Sequence, residues 1–161
     1  MNKKSKKLTH TAAISALYIV LTLVANAFGL ANGIIQVRLS EALTVLPAFS
    51  AAAVPGLFIG CLLSNIICGS LLPDIVFGSL ATLLGALGTR YLSKSKYTAP
   101  IYPIIANTVI IPPILKYVYN FEGAVWYFAL TVGIGEIISC GIFGILLYSA
   151  LKKRNIFKNN I

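Results

Sequence analysis

Apolar runs of bilayer-spanning length recur along this sequence, and each ends in a polar or basic cluster. A transmembrane helix needs about 20 consecutive apolar residues. The first run extends from about Leu8 to Leu30. The loop Ala31 to Val37 separates it from a second apolar stretch, Leu39 to Leu72, which would make roughly 50 Å of helix and is too long for one crossing. Val54-Pro55-Gly56 divides that stretch into two short helices, expected at about 39–53 and 55–71. Neither alone reaches full bilayer thickness. Pro73-Asp74 opens a fourth helix at about 74–92, which the polar Ser93-Lys94-Ser95-Lys96 ends. A fifth is expected at about 99–119, and a sixth at about 123–151 that can cross while tilted. The expected fold is an all-α integral membrane protein: one transmembrane domain over residues 1–161, a bundle of six transmembrane helices.

Composition agrees. Only 11% of the 161 residues are charged, against about 25% in a soluble domain, and 58% are hydrophobic. The net charge of +9 does not indicate a nucleic-acid partner, because the basic residues sit at the ends of apolar runs. With six crossings both termini share one side. Placing them in the cytoplasm puts Lys3, Lys4, Lys6, Lys7, Arg90, Lys94, Lys96, Lys152, Lys153, Arg154 and Lys158 inside, and only Arg38 and Lys116 outside. Eleven basic residues against two is a strong positive-inside asymmetry. The expected location is the cell membrane, multi-pass and in contact with lipid. The lysines before Leu8 resemble a signal n-region, but the run after them has no clear small-residue cleavage site, so it reads as a spanning helix.

The four acids are distributed the other way. Glu41, Asp74 and Glu122 fall at outward helix starts, where they can concentrate a cationic solute or simply cap helices. Asp74 after Pro73 has both readings, N-cap and ligand contact; Glu122 reads as a solvated rim residue. Arg38 and Glu41 lie within Q-V-R-L-S-E-A-L-T-V-L-P, residues 36–47, with Ser40 as a good N-cap and Glu41 in the first turn. They form either a depth-fixing ion pair or part of a binding site. Glu136 stands in G-I-G-E-I-I-S-C-G, deep in the sixth helix, where a charge costs about 2.5–3.5 kcal/mol on insertion scales. A residue kept at that cost faces a cavity or a partner.

Asn107 lies mid-span in the fifth helix. Pro112 and Pro113 follow it, so the carbonyls of Thr108 and Val109 lose their helical donors. Such backbone is tolerated where it is buried in protein or lines a cavity. Asn107 either reads a ligand or joins helices; for Asn65 the joining role is favoured. Trp126 heads an aromatic group with Tyr127, Tyr117 and Tyr119. An interfacial belt explains most of these, and Trp126 is the candidate for stacking on a planar ligand. In the first helix, Ala12-x-x-x-Ala16 is a small-residue contact motif, and the neighbouring His10 reads as interfacial. Cys61, Cys68 and Cys140 are odd in number, lack metal-ligand spacing, and read as buried small hydrophobes. No metal site is expected.

No nucleophile motif, H-E-x-x-H or nucleotide-binding loop is present, which argues against an enzyme. A small membrane enzyme acting on lipid and a self-sufficient channel or transporter remain as rivals. The pieces V-R-L-S-E-A-L-T-V-L-P, P-G-L-F-I-G-C-L-L-S-N and D-I-V-F-G-S-L-A-T-L-L-G-A-L together resemble the QueT family, substrate-binding S-components of energy-coupling factor transporters. The resemblance covers most of the chain. It implies an importer subunit with partners: a transmembrane coupling subunit and two ATPase subunits that use the ATP, with no cofactor in this chain. It implies that Ala12 and Ala16 match the family's docking motif. It also implies a queuosine precursor as substrate, with 7-aminomethyl-7-deazaguanine favoured among the 7-deazaguanines. A guanine edge offers two donors that one carboxylate accepts. Glu136 or Glu41 can take that edge, Asp74 or Glu41 the aminomethyl cation, Trp126 the ring face and Asn107 the remaining polar edge, with Arg38 at the same site.

Overall fold

A computed structural model describes residues 2–30 and 37–154. The expected loop at Ala31 and the basic residue Lys158 lie outside the described residues. Among the described residues all regular structure is helical. In chain order it comprises α1 (Lys3–Ala27), a 3-10 helix (Leu39–Ala48), α2 (Ala53–Ile67), α3 (Leu72–Leu92) and α4 (Ile101–Tyr117). Then α5 (Val125–Glu136), a π turn (Ile137–Phe143) and α6 (Gly144–Arg154) run on as one rod of 30 residues. Three helices are long and apolar enough to cross a membrane: Lys3–Ala27, Leu72–Leu92 and Val125–Arg154. Leu39–Ala48, Ala53–Ile67 and Ile101–Tyr117 are apolar but shorter.

The first helix, α1, is largely polar inside and apolar outside. The buried residues of α1 are Thr11, Ser15, Tyr18, Thr22 and Ala25, one stripe at helical spacing. Leu17, Val20, Leu23 and Val24 on the same helix are exposed. A soluble helix would turn this pattern round; with lipid outside, polar groups must find partners within the bundle. Thr11 Oγ1 donates to the Ala52 carbonyl at 3.1 Å and Ser15 Oγ to the Gly56 carbonyl at 2.7 Å. Gly56 and Gly60 make this closeness possible. A Cβ on Gly60 would lie 2.8 Å from Tyr18 Cβ, and one on Gly56 would lie 3.0 Å from Ile14 Cβ. The G-x-x-x-G of residues 56–60 is therefore the α1–α2 seam.

Successive helices pack in sequence, α1 on α2, α2 on α3, α3 on α4 and α4 on α5. The 3-10 helix closes the bundle by touching α1, α2, α3, α6 and the π turn. It corrects the expected second helix of about 39–53, since only Leu39–Ala48 is helical before the turn into α2, and its winding is 3-10. Two features explain this. Pro47 has no N–H to give the ladder. Thr44 Oγ1 donates to the Glu41 carbonyl at 2.6 Å and the Cys140 thiol reaches the same oxygen at 3.4 Å. In an α-helix that carbonyl would take the Val45 N–H. Pro55 falls in the first turn of α2, where its missing N–H would have been unpaired anyway.

Candidate functional site

The 3-10 helix brings Glu41 to the centre of the bundle, where it is 1% exposed. Tyr18 of α1, also 1% exposed, donates its phenol proton to Glu41 Oε1. One turn further along α1, Thr22 Oγ1 donates to Ser40 Oγ at 2.8 Å. Ser40 is thus not the cap expected for this helix. Arg38 holds the cap position, and no side chain bonds the terminal N–H groups.

Glu136, the last residue of α5, meets Glu41 from the other side. Cys140 bridges them, with its Sγ 3.1 Å from Glu136 Oε2 and 3.4 Å from the Glu41 carbonyl. Thr44 Oγ1 is also 3.4 Å from that sulfur. The ligating atoms of Glu41, Glu136 and Cys140 all lie within 4.8 Å of one another. Two carboxylates that close in a buried site repel strongly unless positive charge offsets them. Arg38 supplies it. Its backbone N–H donates to Ser139 Oγ at 3.1 Å, which ties the start of the 3-10 helix to the π turn.

Arg38, Asn107, Ile111, Val132 and Glu136 line a small pocket here, about 10 Å³ in volume, which is the space of a single water. Its polar inventory is incomplete. Glu41 Oε2 and Thr108 Oγ1 are buried with no hydrogen-bond partner, and Asn107 Nδ2, which faces the Glu136 carboxylate, makes no well-formed hydrogen bond. Buried polar atoms are nearly always paired, so an acceptor without a partner near the pocket and a donor on its wall without a well-formed one describe what a guest must offer. A larger guest needs the lining helices or side chains to move apart.

Asp74 sits in a neighbouring network. It lies inside the first turn of α3, whose cap is Leu71, so the capping role considered for it is not what its side chain does. Tyr119 Oη donates to Asp74 Oδ2 at 3.0 Å, and the Leu71 N–H donates to the same phenol at 3.3 Å. Asp74 and Asn65 approach each other over Gly78, with Ile111 of the pocket wall beside them. The charge of Asp74 acts on Arg38, as does that of Glu41.

Arg38, Glu41, Asn107 and Glu136 therefore converge, and Asp74 stands one layer away. Trp126 is not brought to them. It is 72% exposed, packs edge-on against Tyr127, and lies ten residues from Glu136, about 15 Å along α5. Ala12 and Ala16 lie on the exposed side of α1, away from the seam with α2. Sequence reasoning missed Tyr18 and Cys140. The polar stripe Thr11, Ser15, Tyr18, Thr22 was a signal for the first, and the spacing of four from Glu136 for the second.

A family model described as QueT transporter matches residues 8–153 of the chain. No curated protein and no solved structure matches it.

Proposed function

We propose a function for a chain that belongs to the QueT transporter family: it is the substrate-binding S-component of an ATP-driven importer. It crosses the cell membrane six times with both termini in the cytoplasm. The eleven-to-two distribution of basic residues supports that orientation. The 3-10 helix, about 20 Å long, and α2, about 22 Å, cross where neighbouring helices shield them or the bilayer thins. A transmembrane coupling subunit and two ATPase subunits supply the energy, and this chain carries no cofactor and no catalysis of its own.

The substrate is a queuosine precursor of the 7-deazaguanine class, with 7-aminomethyl-7-deazaguanine favoured. The observation that carries this reading is an under-satisfied pair close to Arg38 and Glu136: Glu41 Oε2, an acceptor with no partner, and Asn107 Nδ2, a donor on the pocket wall that makes no well-formed hydrogen bond to the Glu136 it faces. A guanine edge needs both kinds. Its ring N–H and exocyclic amine donate to a carboxylate, and its carbonyl accepts from Asn107 or Arg38. Glu136 takes the base edge, and Glu41 Oε2 faces the aminomethyl cation with Asp74 behind it. The ring-stacking role is not assigned to Trp126, because of its distance from these groups. Ala12 and Ala16, on the outer face of α1, form the docking surface for the coupling subunit.

Thermal unfolding and calorimetry of the purified chain with 7-deazaguanines test this. 7-Aminomethyl-7-deazaguanine should stabilise the protein and adenine should not. Equal effects of both, or none from any 7-deazaguanine, would rule out the assignment. Co-purification with an ATPase pair separates the reading from a self-sufficient channel or a lipid enzyme.

A further inference from the structure

A second polar site lies at the other end of the bundle from Asp74. Lys96, Lys152 and Lys153 border a surface pocket of about 340 Å³, completed by Tyr148 and Ser149. Lys96 belongs to the connection between α3 and α4; the others stand on the last turns of α6.

The walls are held in place. In the α3–α4 connection the N–H groups of Lys94 and Ser95 both donate to Thr98 Oγ1, at 3.0 and 2.9 Å. The ammonium of half-buried Lys96 rests 4.9 Å from the centre of the Tyr97 ring. Tyr148 packs its ring 4.5 Å from that of Phe49, on the turn after the 3-10 helix.

None of the four acids is at hand. Glu41, Glu136 and Asp74 are buried in the polar networks above, and Glu122 lies between α4 and α5, at the opposite end. Three ammonium groups around one pocket repel one another and are satisfied by an anion with several acceptor oxygens, such as a phosphate. The surface leading away from them is apolar. Ile142 of the π turn and Leu146, Ser149 and Lys153 of α6 follow one another along the rod at helical spacing, and Ile142 and Leu146 are exposed. Exposed Ile101 opens α4, and exposed Tyr97 stands in the connection before it. A free phosphate would use the lysines only. A phospholipid would use both the lysines and the apolar stripe.

We infer that this pocket binds the phosphate headgroup of an anionic phospholipid, with its acyl chains lying along Ile142 of the π turn and Leu146 of α6. Basic pockets of this kind at helix ends are where anionic headgroups collect.

Native mass spectrometry of the full chain, released from detergent with defined lipid added, tests the inference. The probes are phosphatidylglycerol, phosphatidylcholine with the same acyl chains, and inorganic phosphate. Phosphatidylglycerol should be retained about tenfold or more over phosphatidylcholine. The Lys96→Gln, Lys152→Gln, Lys153→Gln triple variant should lose that preference. The matched triple Lys3→Gln, Lys4→Gln, Lys6→Gln, with the same change in net charge, should keep it. Equal losses in both triples would reduce the effect to overall charge and overturn the site. So would unchanged preference in the pocket triple, or equal binding of inorganic phosphate. If the pocket triple kept its lipid preference but lost the partner subunits on purification, the lysines would belong to a protein interface instead.

Discussion

Tyr18 donates to one oxygen of the Glu41 carboxylate and leaves the other without a partner. The phenol thus fixes the carboxylate plane and leaves Oε2 as its unpaired acceptor. Tyr18→Phe would keep the ring and leave both Glu41 oxygens unpaired. A buried polar group left so costs about 1–3 kcal/mol. The variant should unfold at lower temperature and bind a 7-deazaguanine more weakly, yet less weakly than Glu41→Gln. Thermal unfolding and calorimetry on the same preparations check both. Unchanged values for both would make the contact energetically idle.

Glu41→Gln and Glu136→Gln keep side-chain size but replace a charged acceptor with an amide. A hydrogen bond to a charged group contributes about 1.5–3 kcal/mol, roughly ten- to a hundredfold in affinity. Each variant should lose that much binding. Trp126→Ala, at an exposed ring ten residues from Glu136, should lose none. Calorimetry that found the tryptophan variant weakened and both carboxylate variants intact would move the site to the start of α5.

The glycine seam makes a prediction about stability. Gly60→Val puts a branched side chain where even a Cβ would stand 2.8 Å from Tyr18 Cβ. Gly85→Val meets the Pro103 backbone at 2.6 Å. Overpacking of this kind costs about 1–3 kcal/mol. Gly133→Ala is the control, since its Cβ would meet only Thr108 at an ordinary 3.5 Å. Melting curves in detergent should fall for the first two and hold for the third.

Ala12→Leu with Ala16→Leu fills the shallow exposed groove of α1 with bulk. Because the buried face of that helix is the Thr11, Ser15, Tyr18 stripe, the double variant should fold and bind ligand alone. Uptake by cells carrying the whole transporter should fall sharply, and the ATPase subunits should pull down poorly. Normal uptake would show that the groove meets only lipid. Lost ligand binding would show that it is buried in the subunit.

The helical class was legible because bilayer thickness imposes itself on sequence as run length. Winding was not. Nothing in L-S-E-A-L-T-V-L-P-A shows that Thr44 and Cys140 compete for one carbonyl, because Cys140 arrives from 99 residues away. The polar members of the site were legible one by one, since Glu41, Glu136 and Asn107 are costly in an apolar run. Their convergence depends on helix rotation and crossing, which periodicity alone does not fix. Trp126 illustrates the limit: an aromatic suited to stacking on a base can stand 15 Å along the helix from the acid it was paired with. Tyr18 illustrates the reverse, for a tyrosine in an apolar run gives no hint of its partner until the polar stripe around it is noticed.

The 3-10 helix has a consequence for biosynthesis. It leaves the ribosome well before the π turn and α6, the later segments that it must meet to complete its contacts. Until residues 136–154 have been inserted, Glu41 has Tyr18 but neither Glu136 nor Cys140, and the early helices form a row with no closing neighbour. The pocket therefore cannot exist on a partly translated chain. The cluster is thus assembled late: a nascent chain stalled before Glu136 would have the first helices in place and no second carboxylate to set against Glu41.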